Sequence, residues 1–318
     1  MALTLFAVAS PAASAAPTQL RLLGNDRYAT SAKVSQEYFN EGVGVVYVAT
    51  GESFPDALSA APAAAHGGGP VLLTRRDALP EATSIELDRL KPLQIVVLGG
   101  TTAISDAVVT ALDAKTEGAV TRLAGFDRYE TSAKVTEAAF TTTGGTVYIA
   151  TGVGYADALA GAPAAGALGG RPLLLVRPDG VPGFVANELA RLTPQTIIIL
   201  GGTSAVPTST ENQLKTFAPN VIRRAGGDRY LTALAVSADF TAATKVFLAT
   251  GTNFPDALAA GSPAGLVPGP LLLVRQDCMQ PEVDAEISRL NPDQIVVLGG
   301  PEAVSNATAS RELCEAGS

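Results

Sequence analysis

A three-layer α/β protein, built as three tandem parallel-sheet sandwich modules, is the fold class that the sequence predicts. Two observations carry it. Four short markers recur in the same order three times, and inside each copy apolar β-branched runs alternate with amphipathic stretches. Composition agrees: of 318 residues 47% are apolar and 16% charged, with a mean hydropathy of +0.26. Such a chain buries a core and is not a disordered acidic polymer. Its length allows two or three domains.

The string Gly-x-Asp-Arg-Tyr-x-Thr stands at 24–30, 125–131 and 226–232. Ala-Thr-Gly follows at 49–51, 150–152 and 249–251, and Asp-Ala-Leu at 56–58, 157–159 and 256–258. Leu-Gly-Gly closes each copy at 98–100, 200–202 and 298–300. The repeats place modules at 18–118, 119–219 and 220–318. Each is domain-sized and far longer than a solenoid unit. No stretch richer in Gly, Pro or Ser separates them, so close packing between modules is expected.

In the first copy, residues 45–49 (VVYVA), 71–73 and 95–98 (IVVL) read as short buried parallel strands. Residues 28–39, 56–65, 81–90 and 105–114 read as helices, with Asp56 in a first turn where the macrodipole favours an anion. Strand–helix alternation of this kind gives a parallel sheet covered on both faces, in a Rossmann- or toprim-like manner. Each strand runs into a small-residue or arginine-bearing turn: Thr50-Gly51, Thr74-Arg75, Gly99-Gly100. Ligands of open α/β sheets sit outside these carboxyl ends.

The 22 basic and 30 acidic residues leave a net charge of −8 and a pI near 4.8, which argues against a nucleic-acid partner. One His, no Trp and two Cys exclude chemistry that needs several histidines or a metal cluster. No cofactor, metal or catalytic residue is expected. His66 is not repeated. Gly152-x-Gly154 lacks the third glycine of a dinucleotide loop, since Asp157 occupies that position, and no Walker-type string is present. No carboxylate pair is singled out for glycoside cleavage.

Residues 1–17 (MALTLFAVASPAASAAP) have the apolar run and Ala13-Ser14-Ala15 site of a secretory signal peptide. No Lys or Arg precedes the run, so a start truncated within the leader is expected. No later stretch reaches about 18 consecutive apolar residues, so the chain is not expected to span a membrane. Export makes Cys278 and Cys314 a candidate disulfide, worth about 3–4 kcal/mol in the chain-entropy picture.

GNDRYATSAKVS, VYVATGESFPDALSAAPAAA, PVLLT and LKPLQIVVLGGTTAIS together resemble the type-2 cell-wall-binding repeat of exported Gram-positive proteins. The second copy (GFDRYETSAKVT, VYIATGVGYADALAGAPAA, IIILGGTSAV) and the third (GGDRYLTALAVS, VFLATGTNFPDALAAGSPA, IVVLGGPEAVS) match equally, so the resemblance covers essentially the whole mature chain. It implies three modules around a pseudo-threefold axis that hold a protein on the wall without a covalent bond. The implied partner is an anionic secondary polymer, a teichoic-acid-like or peptidoglycan-associated glycan. The implied location is secreted, at the cell wall or surface.

An acidic protein binding a polyanion must confine its useful cations. Four arginines per copy fall in threefold register: Arg21, Arg122, Arg223; Arg27, Arg128, Arg229; Arg75, Arg177, Arg275; and Arg89, Arg191, Arg289. The last set follows Glu86, Glu188 and Glu286 by three residues, which reads as a helix-surface ion pair. Arg75, Arg177 and Arg275 lie just past strand ends, where a guanidinium fork suits phosphate or carboxylate; a loop-fixing pair with Asp77, Asp179 or Asp277 is the alternative. Arg27, Arg128 and Arg229 either staple a module seam or face a groove. Asp56, Asp157 and Asp256 are caps or seam partners, or else bind polymer hydroxyls. Tyr28, Tyr129 and Tyr230 read as core. Gly51, Gly99, Gly100 and their copies allow positive φ or a close approach.

Three functions are consistent with these residues. The first is non-catalytic wall binding, in which three weak sites on one rigid body gain avidity on a repeating polymer. The others are a wall hydrolase or transferase working at the strand ends, and a structural surface-layer component.

Overall fold

The computed structural model describes residues 16–315, so the expected leader lies, up to residue 15, outside the described residues. Strands are β1 (Thr18–Leu22), β2 (Val46–Thr50), β3 (Val71–Thr74), β4 (Gln94–Leu98), β5 (Ala119–Leu123), β6 (Thr146–Thr151), β7 (Leu173–Val176), β8 (Thr196–Leu200), β9 (Asn220–Arg224), β10 (Lys245–Thr250), β11 (Leu271–Val274) and β12 (Gln294–Leu298). Helices are α1 (Arg27–Tyr38), α2 (Ala60–Gly67), α3 (Glu81–Leu90), α4 (Asp106–Asp113), α5 (Arg128–Ala139), α6 (Ala156–Ala167), α7 (Gly183–Leu192), α8 (Thr208–Leu214), α9 (Arg229–Ser237), α10 (Pro255–Leu266), α11 (Pro281–Leu290) and α12 (Asn306–Ala309).

The strands form three four-stranded parallel sheets, in the orders β3-β2-β4-β5, β7-β6-β8-β9 and β11-β10-β12-β1. Three strands of each sheet are the apolar runs read from the sequence. The fourth was not. It opens each repeat, yet it pairs with the sheet of the repeat before it. The segment TQLRL and its copies are half exposed and carry charge, as an edge strand does, so they lack the apolar signature of a buried strand. Sheet and sequence repeat are therefore offset by one strand. The offset closes the molecule into a ring, because β1, the first described strand, completes the last sheet by lying in register on β12, Thr18 against Gln294 through Leu22 against Leu298.

A second departure concerns the inner helix. In the first copy a 3-10 turn at Pro55–Ala57 precedes α2, whereas α6 and α10 run unbroken through the equivalent Asp-Ala-Leu. These three Ala-rich helices pack on one another at the pseudo-threefold axis. A Cβ on Gly166 would come within 2.9 Å of the Ala65 Cβ and 3.0 Å of the Gly265 Cα, so only the smallest residues allow this approach. One apolar cluster runs through Leu58, Leu159 and Leu258 of the three repeats. The modules thus share a core, which explains why no linker composition separates them.

At the far end of the chain Cys278 and Cys314 are bonded, with Cα atoms 4.9 Å apart. Met279 N–H donates to the Glu312 carbonyl at 2.7 Å and Cys314 N–H to the Met279 carbonyl at 2.9 Å, fixing the last segment beside the third sheet.

Candidate functional site

The Gly-x-Asp-Arg-Tyr-x-Thr string resolves into separate tasks. Asp26, Asp127 and Asp228 are N-caps: Asp26 accepts from Tyr28 and Ala29 N–H at 3.0 and 2.8 Å, Asp127 from Tyr129 and Glu130, and Asp228 from Leu231. Such a cap is worth about 1 kcal/mol. The threonine hydroxyl accepts the N–H of the leading glycine, at 3.1, 3.0 and 3.2 Å in the three copies. Tyr28 and Tyr129 are buried as expected, and Tyr230 is half-buried.

The arginine of the string reaches across the ring. Arg27, Arg128 and Arg229 each donate from Nη1 to a glycine carbonyl of their own repeat, Gly51, Gly152 and Gly251, at 2.5–2.6 Å. The guanidinium then lies over an aromatic ring of the preceding repeat: Arg128 over Phe54 at 5.9 Å, Arg229 over Tyr155 at 5.6 Å, Arg27 over Phe254 at 5.9 Å. Those three rings meet one another on the axis, with centroids 5.4–5.9 Å apart. The sequence reading missed this triad. Its signal was present, an aromatic two residues before the aspartate of every Asp-Ala-Leu.

Asp56, Asp157 and Asp256 face the same seams from the other side. Asp56 meets Thr131 and Arg128, Asp157 meets Thr232 and Arg229, and Asp256 meets Arg27 and Thr30. Burial pushes all three carboxyls above the ordinary aspartate range, and the threonine and arginine partners offset this only in part. Each carboxylate also lies on the first glycine of Leu-Gly-Gly. Gly99, Gly201 and Gly299 have φ of 92°, 96° and 87°, and a Cβ there would fall 2.3–2.5 Å from the Asp Oδ2. Both the backbone conformation and the approach demand glycine.

Arg75 and Arg177 lie over Tyr28 and Tyr129 at 5.1 and 4.9 Å, on the same strand-end face. Arg177 also binds the capping Asp127 at 2.6 Å. Asp77 takes Arg76 at 2.8 Å rather than fixing a loop with Arg75. Arg275 is exposed at the equivalent strand end. Three registered arginines thus ring the aromatic centre, and Arg75 and Arg177 lie on the tyrosines of the same string.

The other two sets are bound within the protein. Arg21, Arg122 and Arg223 donate to the carbonyls of Gly299, Gly99 and Gly201 at 2.7–2.9 Å and so pin the Leu-Gly-Gly turns. Arg89, Arg191 and Arg289 pair with Glu86, Glu188 and Glu286 at 2.5–2.6 Å, as the spacing predicts, and also donate to the carbonyls of Phe39 and Phe140, which cap α1 and α5, and of Phe240, just past α9. His66 stacks on Phe140 at 4.9 Å, at the opposite end of its helix from the aromatic triad.

Clefts open along the seams. One of about 480 Å³ between repeats 2 and 3 is bordered by Tyr155, Asp157, Ser204, Arg229 and Thr232. One of about 250 Å³ between repeats 1 and 2 is bordered by Asp56, Thr102, Phe126, Arg128 and Thr131. Among the described residues no group of His, Cys, Asp and Glu is arranged to hold a metal, and no helix is long and apolar enough to cross a membrane.

Comparison with known proteins gives a consistent result. The family described as Cell wall binding domain 2 (CWB2) matches at residues 21–109, 122–211 and 223–309. Over 303 residues the chain is 28% identical to the N-acetylmuramoyl-L-alanine amidase LytC of Bacillus subtilis, covering 95% of this chain and 59% of that protein. It is 33% identical over 258 residues to the Amidase enhancer of the same organism, covering 81% of this chain and 35% of that protein. The chain therefore spans little more than half of the first relative and about a third of the second. Its fold is similar to Cwp6 from Clostridium difficile, with a TM-score of 0.86 and 25% identity over 98% of this chain and 50% of that one. Cwp8 from the same organism gives 0.82 and 25% identity over 91% and 50%.

Proposed function

Because the chain belongs to the Cell wall binding domain 2 family, we propose that it is a secreted, non-catalytic unit that holds on to the cell wall through an anionic secondary polymer. The observation that carries this reading is the strand-end face, where Arg27, Arg128 and Arg229 alternate with the axial rings of Phe54, Tyr155 and Phe254. Each guanidinium spends one donor on a backbone carbonyl, and a guanidinium has five. The remaining fork suits phosphate or carboxylate, and the rings beneath exclude water and strengthen that contact. The net charge of −8 opposes diffuse attraction of a polyanion but not local capture by registered arginines. Arg75, Arg177 and Arg275 extend the cationic ring outward, while the seam aspartates hold the arginines and offer acceptors to sugar hydroxyls.

Three such seams on a rigid ring favour a repeating ligand over a single small molecule. The test is sedimentation with purified Gram-positive walls before and after removal of their secondary polymers. Retention that disappears on stripped walls is expected. Equal retention on stripped walls overturns the polymer ligand, and release of soluble fragments from the walls overturns the non-catalytic reading.

A further inference from the structure

Threefold repetition makes the three seams equal in plan, but the residues that border them differ. The position just before the capping aspartate is Asn25, Phe126 and Gly227 in the three repeats. The position before the seam aspartate is Pro55, Ala156 and Pro255, and the residue two places earlier is Ser53, Gly154 and Asn253. The smallest residue of every set, Gly227, Ala156 and Gly154, falls at one seam, between repeats 2 and 3. The first repeat's seam instead carries Ser53, Pro55 and Phe126. The outcome is a cleft of about 480 Å³ against one of about 250 Å³. The larger lies within the roughly 300–1,000 Å³ of ligand pockets and the smaller lies below it.

The chemistry of the larger cleft differs as well. Arg229 is exposed, whereas Arg27 and Arg128 are half-buried. The axial ring beneath it, Tyr155, is the one member of the triad with a hydroxyl, which donates to the Thr252 carbonyl at 2.8 Å. Ser204 adds a hydroxyl to the lining, and Val153, 62% exposed, adds an apolar edge. Of the two carboxylates there, Asp228 is engaged in capping α9, and Asp157 is engaged by Thr232 and Arg229. One exposed guanidinium with donors beyond those it gives to the Gly251 carbonyl and the Tyr155 hydroxyl, the Ser204 hydroxyl and an apolar edge together match a sugar unit that carries one anionic group.

We propose that the cleft between repeats 2 and 3 is the principal seat for one anionic sugar unit of the polymer, with Gly154 and Ala156 keeping it open where Ser53 and Pro55 narrow its counterpart between repeats 1 and 2. The inference rests on the wall-binding reading above and adds that the seams contribute unequally.

The experiment measures affinity of the full chain for purified Gram-positive walls, unstripped and stripped, by sedimentation. Gly154→Phe fills the cleft from a position that tolerates a side chain: its Cβ would meet only Thr151 Cγ2, at 3.9 Å. Ala156→Pro narrows the same cleft with the residue that the other two repeats carry at the first turn of that segment, where proline is accommodated. Each is expected to weaken binding to unstripped walls about tenfold, with an unchanged unfolding midpoint. Ser53→Phe, at the equivalent position of the smaller cleft, is expected to cost much less. Wild-type-like binding by a folded Gly154→Phe or Ala156→Pro variant overturns the proposal while leaving wall binding intact. Equal losses from Gly154→Phe and Ser53→Phe also overturn it, since the clefts would then be equivalent. A wild-type chain that unstripped walls do not retain removes the wall-binding reading and this inference with it.

Discussion

Two sets of threefold arginines, both perfectly registered in the sequence, do opposite work. Arg89, Arg191 and Arg289 are saturated: each closes on a buried or largely buried glutamate and on the carbonyl end of a neighbouring helix. Arg27, Arg128 and Arg229 bond a backbone carbonyl, lie over an aromatic ring and face a seam aspartate, and keep donors for something else. Repetition says that a position is structurally equivalent in each copy. The identity of its partners says what it is for.

The largest test of that contrast is Arg89→Ala. Glu86 is fully buried and would lose its cation, which destabilises by about 3 kcal/mol, at the low end for a broken buried pair because Arg89 itself is a third exposed. Urea unfolding should show that loss, while the folded fraction binds walls as before. Reduced wall affinity per folded molecule would break the comparison.

Changing Arg27, Arg128 and Arg229 together to Gln should do the reverse. Wall affinity falls at least about tenfold, roughly 1.4 kcal/mol, and the unfolding midpoint moves by only a few degrees. A folded triple variant with undiminished binding would remove these arginines from the site.

Acid separates the carboxylates of the two regions. Burial raises Asp56, Asp157 and Asp256, so the folded state holds their protons more tightly than the unfolded chain, and their contribution to stability improves as pH falls through the raised value. That gain ends near the ordinary aspartate value of 3.8, where the unfolded chain protonates too. Burial also acts to raise Glu286, but the hydrogen bonds from Arg289 and Ser237 and the charge of Arg289 outweigh it and lower its pKa. Its stabilisation is present above the ordinary value of 4.5 and is lost as pH falls through the lowered one. Stability–pH curves of the triple Asp→Asn and of Glu286→Gln variants, each subtracted from wild type, should therefore slope in opposite senses. Like slopes would show that burial, not partner, governs both sets.

Salt gives the smallest effect. Raising ionic strength from 0.1 to 1 M shortens the screening length from about 10 to about 3 Å. Wall retention should weaken severalfold, with little change in the unfolding midpoint supported by the Glu86–Arg89 type of pair.

Much of this architecture is written locally. The hydrophobic runs fix β2, β3 and β4 and their copies, because a buried parallel strand must be apolar on both faces. The i,i+3 spacing fixes the Glu86–Arg89 pairs, and Cys278 and Cys314 do form their bond. The site was legible only by halves. Arg27 and Asp56 stood out through repetition, but not that Arg128, rather than Arg27, is what Asp56 faces, nor that Phe54, Tyr155 and Phe254 converge.

The sequence by itself determined three equivalent α/β units, their turns, and the register of every repeated charge. These depend on neighbours within a few residues. Only the tertiary structure decided that each unit lends its opening strand to the previous sheet, that β1 closes the ring on β12, and that arginine and aspartate of different repeats meet over a common aromatic axis. Those pairings bring together residues 285 positions apart, through a half-polar edge strand and close helix contacts. No local periodicity records them, because the interactions that select them exist only once the ring has closed.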